Sequence, residues 1–433
     1  MKAKTLLSYL LLGVLLMGTV AACARPAGRP AMAQTLQSDK PRTTEPSVPP
    51  EDLEALVQGN TAFALDLYHR LRKAVDGNLF YSPYSISLAL AMTYAGARGE
   101  TERAMAQILR FSLPQERLHP AFNALDLALA SRGQGAKGKD EGGFRLRIVN
   151  AIWGQRGYPF LPEFLDVLAQ NYGAGLRVVD FHQDPEAVRV LINDWVSEQT
   201  EGRIRDLIPP GVIDRLTRLV LTNAIYFNAA WAEPFDENLT QEGTFYLLDG
   251  TEVRVPMMRQ STQLGYVEGE GYQAVEIPYD GRELAMVVIV PQRGQFETFE
   301  ASLDAARLRE ILQSLTYREV NLTLPRFRVE SSFRLAEPLS EMGMKVAFTP
   351  DEADFSGMDG SRALYIGDVL HKAFVSVDEK GTEAAAATAV VIKVTAIGLA
   401  PVEVTVDRPF IFLIRDLQTG AVLFVGRVVD PVQ

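Results

Sequence analysis

The sequence predicts an α+β fold with largely antiparallel sheets. Apolar residues at helical spacing dominate the early part of the folded region, and β-branched or aromatic runs dominate the later part. Strands and helices do not alternate, so a parallel sheet with crossover helices is not expected.

The elements follow in chain order. Lys2 and Lys4 precede an apolar run of 17 residues, Leu6 to Ala22. That is the charged-then-apolar order of an export signal, and it is shorter than the ~20 residues a membrane-spanning helix needs. The run ends in Val20-Ala21-Ala22-Cys23, which resembles the bacterial lipobox. Residues 1–22 are therefore expected to be a lipoprotein signal peptide and Cys23 to carry the lipid, leaving the protein exported and tethered to a membrane face. Residues 24–50 hold six prolines (26, 30, 41, 46, 49 and 50) and no aromatic residue. With so little to bury, 23–50 reads as a lipid-anchored tether, whose 27 residues after Cys23 reach up to about 80 Å.

The globular domain is expected over 51–433. Leu53, Leu56, Asn60, Phe63, Leu67 and Leu71 form one face of a first helix, closed by Asp76-Gly77-Asn78. Ser82-Pro83 is placed to start a second helix through Ile86, Leu88, Leu90 and Tyr94, with Ser82 as its cap. Gly96 and Gly99 stop it. Strands are expected at Leu146–Trp153, Leu219–Phe227, Leu284–Val290 and Val320–Leu324. A terminal hairpin is expected from Phe410–Ile414 and Val422–Val429 around a polar turn containing Gly420. Ser131–Gly143, rich in glycine and charge, reads as a loop.

Composition excludes several classes. At 433 residues with 47% apolar content the chain can bury a large core, and no internal repeat or long gap forces a second one. A net charge of −11 disfavours nucleic acid and anionic lipid heads as partners. Cys23 is the only cysteine, so there is no intrachain disulfide, no paired-cysteine redox motif and no zinc site built on several thiolates. His69, His119, His182 and His371 stand in no metal-type spacing, so no metal or cofactor is expected. Gly133 to Lys139 approaches a phosphate-binding loop, but Asp140 occupies the position that needs a hydroxyl residue. There is no Gly-x-Ser-x-Gly, so a hydrolase of that kind has no visible nucleophile, and the protein is not expected to be an enzyme.

The segment 379–401 carries a conflict. Alanines 384–387 after Thr382 favour a helix, whereas Val390–Thr395 favours extended chain. Read with period two, Thr382, Ala384, Ala386, Thr388, Val390 and Ile392 make one uncharged face that is small at its leading end. Such a strip is able to enter a sheet as a strand without a bulky residue catching.

Several stretches together resemble the serpin family. They include Asn78-Leu-Phe-Tyr-Ser-Pro-Tyr-Ser-Ile-Ser87, Ile192-Asn-Asp-Trp-Val196 with Thr200-Glu-Gly-Arg-Ile204, and Leu221-Thr-Asn-Ala-Ile-Tyr-Phe-Asn-Ala-Ala-Trp231 through Phe235. Further stretches are Val255-Pro-Met-Met258, Asp354-Phe-Ser-Gly357, His371-Lys-Ala-Phe374, Asp378-Glu-Lys-Gly-Thr-Glu383 with its alanines, Arg408 to Arg415 and Phe424 to Val429. The likeness runs from about 51 to 431, nearly the whole mature chain.

The resemblance implies three β-sheets, eight or nine helices and an exposed reactive loop. It also implies suicide-substrate inhibition of serine proteases: the cleaved loop inserts into the central sheet while the protease is held as a covalent acyl-enzyme. By motif, Glu379, Gly381 and Thr382 match the hinge and Ala384, Ala385, Ala386 and Ala387 its small-residue run. Ser82, Ser85, Asn223 and His371 match a polar cluster that controls sheet opening, and Trp231 the tryptophan where the loop enters. Seventeen positions from Glu379 put the reactive bond at Thr395-Ala396; counting back from Pro409 puts it at Gly398-Leu399. Either way the residue before the bond is small and neutral, pointing to elastase-like or subtilisin-like targets. The chain is expected to be a monomer that meets the membrane through its N-terminal lipid only. A non-inhibitory scaffold is the alternative, disfavoured by the small uncharged face.

Overall fold

The computed structural model describes residues 32–138, 143–382 and 400–433. The signal peptide, Cys23, Ala384–Ala387 and the bonds Thr395-Ala396 and Gly398-Leu399 lie outside the described residues.

The body opens with a run of helices: α1 (Pro50–Leu71), α2 (Pro83–Tyr94), α3 (Gly99–Ile108) and α4 (Gln115–Ala130), with the short strand β2 (Leu79–Tyr81) after α1. Ser82 caps α2 as expected, its Oγ accepting from Ser85 N–H at 3.1 Å. The twelve residues of α2 are all buried, which makes it the helix under the central sheet rather than a surface helix. An equally short strand, β1 (Gln34–Leu36), precedes them all.

The central sheet has seven strands in the order β1, β4 (Leu176–Val179), β3 (Arg145–Gln155), β5 (Leu219–Ala230), β13 (Gly381–Thr382), β12 (Ile366–Asp378) and β11 (Phe327–Arg334). Two helices, α5 (Pro162–Tyr172) and α6 (Pro185–Gln199), connect β3 to β4 and β4 to β5. One sheet face packs into the main core; against the other, Val188, Ile192 and Val196 of α6 make a second cluster with Val149, Trp153, Val220 and Leu370. Covered on both sides, β5 is buried along all twelve of its residues.

The second hydrogen-bonded system has nine strands. It contains β6 (Gln241–Tyr246), β7 (Glu252–Gly269), β8 (Tyr272–Pro278), β9 (Leu284–Pro291) and β10 (Thr316–Pro325). It is completed by β14 (Val402–Thr405), β15 (Phe410–Asp416), β16 (Val422–Val428) and β2. The long strand β7 pairs with β6 at one end and β8 at the other, so these strands form one continuous hydrogen-bonded system. Helices α7 (Phe296–Ser302) and α8 (Ala305–Gln313) lie between β9 and β10, and α9 (Ala336–Leu339) and α10 (Ser356–Asp359) are single turns. Eight helices of seven residues or more thus accompany the sheets among the described residues.

The segment read as a free tether is partly docked. Strand β1 pairs antiparallel with β4, Thr35 opposite Arg177. The Thr43 N–H donates to the Gln170 carbonyl at 2.9 Å. Arg42 donates to Asn123 Oδ1 at 2.8 Å and pairs with Asp126 at 2.6 Å, and Lys40 pairs with Asp166 at 2.6 Å. Asn123 is fully buried and gives its amide N–H to the Thr43 carbonyl at 2.7 Å. Gly175 lets the strap close on β4, because a Cβ there would meet Thr35 Cγ2 at 2.7 Å and the Leu36 carbonyl at 2.8 Å. Composition missed this because the strap holds on through a sheet edge and a few charged anchors rather than through apolar burial.

Candidate functional site

The site begins where β12 ends. Two residues further on, Gly381 and Thr382 sit between two strands: Gly381 opposite Ala230 and Thr382 opposite Ala229 on β5, and the same pair opposite Asp378 and Val377 on β12. Beyond this point β5 and β12 pair directly and in parallel, from Ile366 with Leu219 to Ala373 with Ile225. The sheet therefore already holds the first step of a new antiparallel strand at one end and is closed below it.

Gly381 has φ of 148°, and a Cβ there would strike the Ala229 carbonyl at 2.1 Å, so the position demands glycine. Thr382 is buried, its Oγ1 2.8 Å from the Tyr279 hydroxyl. Tyr279 stacks on Trp231 with ring centres 4.7 Å apart. Trp231 in turn donates its indole N–H to the Asp378 carbonyl at 2.9 Å and its backbone N–H to Lys380 at 2.9 Å. An aromatic pair thus braces the chain on both sides of Gly381.

Glu379 is the electrostatic latch of the same corner. Its carboxylate is 3% exposed, pairs with Arg326 at 2.7 Å, and accepts from the Thr240 hydroxyl at 2.5 Å. Burial pushes its pKa up, but the Arg326 and Thr240 hydrogen bonds outweigh this and hold the carboxyl below its usual range. The Phe235 N–H also holds the Glu379 carbonyl, at 2.8 Å.

The four polar residues named by motif meet beneath the middle of the sheet. Ser82 N–H donates to His371 Nε2 at 3.1 Å, and the other ring nitrogen of His371 bonds Asn223 Oδ1. Asn223 Nδ2 donates to Ser85 Oγ at 2.6 Å, and Ser82 Oγ donates to the Leu423 carbonyl at 2.7 Å. A fifth member, Asn150, accepts from both Asn223 and Ser85. It escaped the sequence reading because it lies in the expected strand Leu146–Trp153, which is none of the stretches that carry the resemblance. Burial lowers the His371 pKa to about 3, so the ring is neutral and the cluster works through hydrogen bonds alone. His371 and Asn223 are register partners across the β5–β12 seam, so the cluster sits on that seam.

A central sheet that holds the two residues Gly381 and Thr382 between β5 and β12, with a buried polar cluster across the seam beside them, defines an α+β protein of mixed β-sheets. The comparisons agree with that class. The family model described as Serpin (serine protease inhibitor) matches residues 58–431. The chain is 40% identical over 409 residues to an uncharacterized serpin-like protein of Thermococcus kodakarensis, covering 91% of this chain and 93% of that one. It is 39% identical over 390 residues to the human leukocyte elastase inhibitor, covering 88% of this chain and 100% of the other. Among solved structures, the thermophilic serpin tengpin in its native state superposes with a TM-score of 0.78 at 28% identity, covering 92% of this chain and 99% of that one. Uncleaved ovalbumin gives 0.77 at 26%, covering 87% and 100%. The protein belongs to the serpin family.

Proposed function

We propose that this serpin inhibits serine proteases as a suicide substrate, trapping the acyl-enzyme when its cleaved reactive loop inserts into the central sheet. The observation that carries the reading is the placement of Gly381 and Thr382 between β5 and β12, in antiparallel register with both. Carried on in the same register, Thr388 comes level with both Asn223 and His371, and Ile392 reaches Leu219 at the far end of β5. The inward positions along that path are the small and uncharged ones, Ala384 and Ala386, so the strand advances without a buried charge. Insertion separates the parallel β5–β12 pairs and replaces them with antiparallel pairs on both sides, which is the source of the driving energy.

In this reading Glu379, Gly381 and Thr382 are the hinge and Ala384–Ala387 its leading run, while Ser82, Ser85, Asn223, His371 and Trp231 govern how the sheet opens. The register favours Thr395-Ala396 as the reactive bond, because it leaves Thr395 three residues past the strand's last partner. A small neutral residue there suits an elastase-like or subtilisin-like target, which accords with the human relative's name. The lipobox reading makes the inhibitor exported and lipid-anchored at Cys23.

Incubation with elastase-like, subtilisin-like, chymotrypsin-like and trypsin-like proteases tests this. The expected result is an SDS-stable complex with the first two and release of a C-terminal peptide beginning at Ala396. Clean cleavage without complex for every protease overturns inhibition and leaves a non-inhibitory scaffold.

A further inference from the structure

The face of the central sheet opposite the polar cluster carries a fastening of its own. Arg177 on β4 lays its guanidinium over two tryptophans, with Cζ 4.2 Å from the ring centre of Trp195 and 5.4 Å from that of Trp153. The two rings meet edge to face, their centres 5.4 Å apart. Trp195 belongs to α6 and Trp153 to β3, so the three side chains clip the helix to the β3–β4 side of the sheet. No carboxylate pairs with Arg177 among the described residues, and burial alone lowers its pKa. Aromatic faces are what holds this cation, and partial loss of water strengthens that attraction.

The clip reaches the β5–β12 seam. Trp153 donates its indole N–H to Thr222 Oγ1 at 2.9 Å, and Thr222 lies opposite Leu370 across the seam. Leu370, Val220 and Ala224 belong to the same cluster as Val188, Ile192 and Val196 of α6. Beyond the seam, Lys372 Nζ on β12 donates to the Arg205 carbonyl at 3.0 Å, so the chain after α6 is fastened there too. A strand inserted in the register of Gly381 and Thr382 brings Ala389 level with Thr222 on one side and Leu370 on the other. Its neighbour Thr388 comes level with the polar cluster, and side chains alternate along a strand, so Ala389 faces α6. The α6-facing series is then Ala385, Ala387 and Ala389, a second run of alanines that inward burial does not require.

We propose that Arg177, Trp153 and Trp195 are positioning residues that hold α6 at a fixed height over the seam, and that this height limits the size of the loop side chains that pass beneath it. The proposal rests on the reading of the protein as one that inserts its loop. The limit is strictest at Ala389, which arrives beside Thr222, the residue that Trp153 holds. Alanine there slides under the clipped helix. A longer side chain has to lift α6 and pull Trp195 away from Arg177, so the strand is delayed at that point.

Free peptides test this without a protease. Two acetylated peptides of residues 382–393, one of native sequence and one carrying Ala389→Leu, are offered to the intact protein. Uptake is followed by native mass and by the rise in thermal midpoint. The expected result is that the Ala389→Leu peptide enters the parent at least about ten-fold more slowly than the native one, a factor that overpacking by one side chain supplies. Arg177→Met and Trp195→Leu open the clip from two different elements, so either one serves if the other does not fold. In each, the two peptides are expected to enter at rates within about two-fold of one another. A substitution that merely loosened the sheet would speed both peptides alike and keep their ratio, so the ratio reads the clip rather than stability. Equal rates in the parent overturn the size limit, and an unchanged ratio in the clip variants overturns the role of Arg177 and Trp195. Uptake of neither peptide overturns the proposal together with the loop-insertion reading on which it rests.

Discussion

The hydroxyl groups of Tyr279 and Thr382 stand 2.8 Å apart inside the protein, joining the stacked Trp231–Tyr279 pair to the short strand held between β5 and β12. In the proposed mechanism that contact makes Thr382 a gatepost as well as a hinge residue. Replacing it with arginine places a charge between β5 and β12 with no partner, and the advancing loop stalls. A barrier raised by only about 1.4 kcal/mol shifts the partition between trapping and release ten-fold. Thr382→Arg is therefore expected to need at least about ten times more inhibitor per protease, with most of it cleaved. Thr382→Val, which keeps the volume, retains trapping. Stoichiometric titration with intact mass of the products reads both.

Arg326→Ala leaves Glu379 buried without its cation. Removing one partner of a buried charged hydrogen bond costs about 1–3 kcal/mol, and the lower part of that range applies because Arg326 is 44% exposed. The variant is expected to convert faster to an inserted, inactive form, read as loss of inhibition together with a rise in thermal midpoint. Acid does the same to the parent. The Glu379 pKa is held below its free value of 4.5, so the latch contributes fully above that pH and is lost as pH falls through the folded value. Inactivation accelerating below about pH 4.5 in the parent, but not in Arg326→Ala, is the expected pattern.

The segment proposed as the hinge stands out in the sequence because its chemistry is local. A glycine, a threonine and a run of alanines within nine residues state what can enter a sheet, and period-two spacing states which of them face inward. Their partners were not legible. Arg326, Thr240 and Tyr279 lie on elements 53 to 139 residues away and belong to no motif, so only the fold brings them to Glu379 and Thr382. Strand β7 was also missed: of its eighteen residues only a scatter is buried, and they do not alternate regularly. The strap was misread for the opposite reason, since proline-rich composition predicts little burial and says nothing about a buried asparagine waiting elsewhere.

His371 and His119 give the native state an acid sensitivity of known sign. Burial lowers both pKa values to about 3, with the Arg98 charge adding to the effect at His119. Between the ordinary value of 6.5 and about 3 the unfolded chain takes up protons that the native state refuses. Stability falls with pH across this window by about 1.4 kcal/mol per unit for each ring. His371→Gln is expected to remove one of these two contributions. Denaturant unfolding at intervals from pH 7 to 4 measures the slope; an unchanged slope in the variant would show that His371 is protonated in the native state.

Strap docking makes its own prediction in solution. In Arg42→Ala the buried Asn123 keeps the Thr43 carbonyl but loses the guanidinium on Oδ1, and Asp126 loses its cation. About 1–2 kcal/mol of local stability is expected to go. Amide exchange reads it directly, because the Thr43 N–H is bonded to the Gln170 carbonyl in the docked form. Protection of Thr43 should fall about ten-fold or more while that of β5 is unchanged. Equal protection at Thr43 would mean the main-chain pairing alone holds the strap.

The most demanding prediction concerns Thr388. The register of Gly381 and Thr382 against β5 and β12 brings Thr388 level with Asn223 on one side and His371 on the other, two residues that already bond each other. Parting the seam breaks that bond and leaves buried polar atoms that need new partners. A threonine hydroxyl both donates and accepts, so Thr388 is able to bridge the amide and the imidazole and refasten the cluster in the inserted form. Thr388→Val arrives with the same shape and neither capability. Leaving the pair unsatisfied costs about 1–3 kcal/mol in the inserted state alone, so the cleaved form should melt lower while the native form is unchanged. Thermal unfolding of native and loop-cleaved protein, parent and variant, measures this. Equal loss in both forms would mean that Thr388 acts before insertion, and no loss in either would mean that the loop enters in a different register.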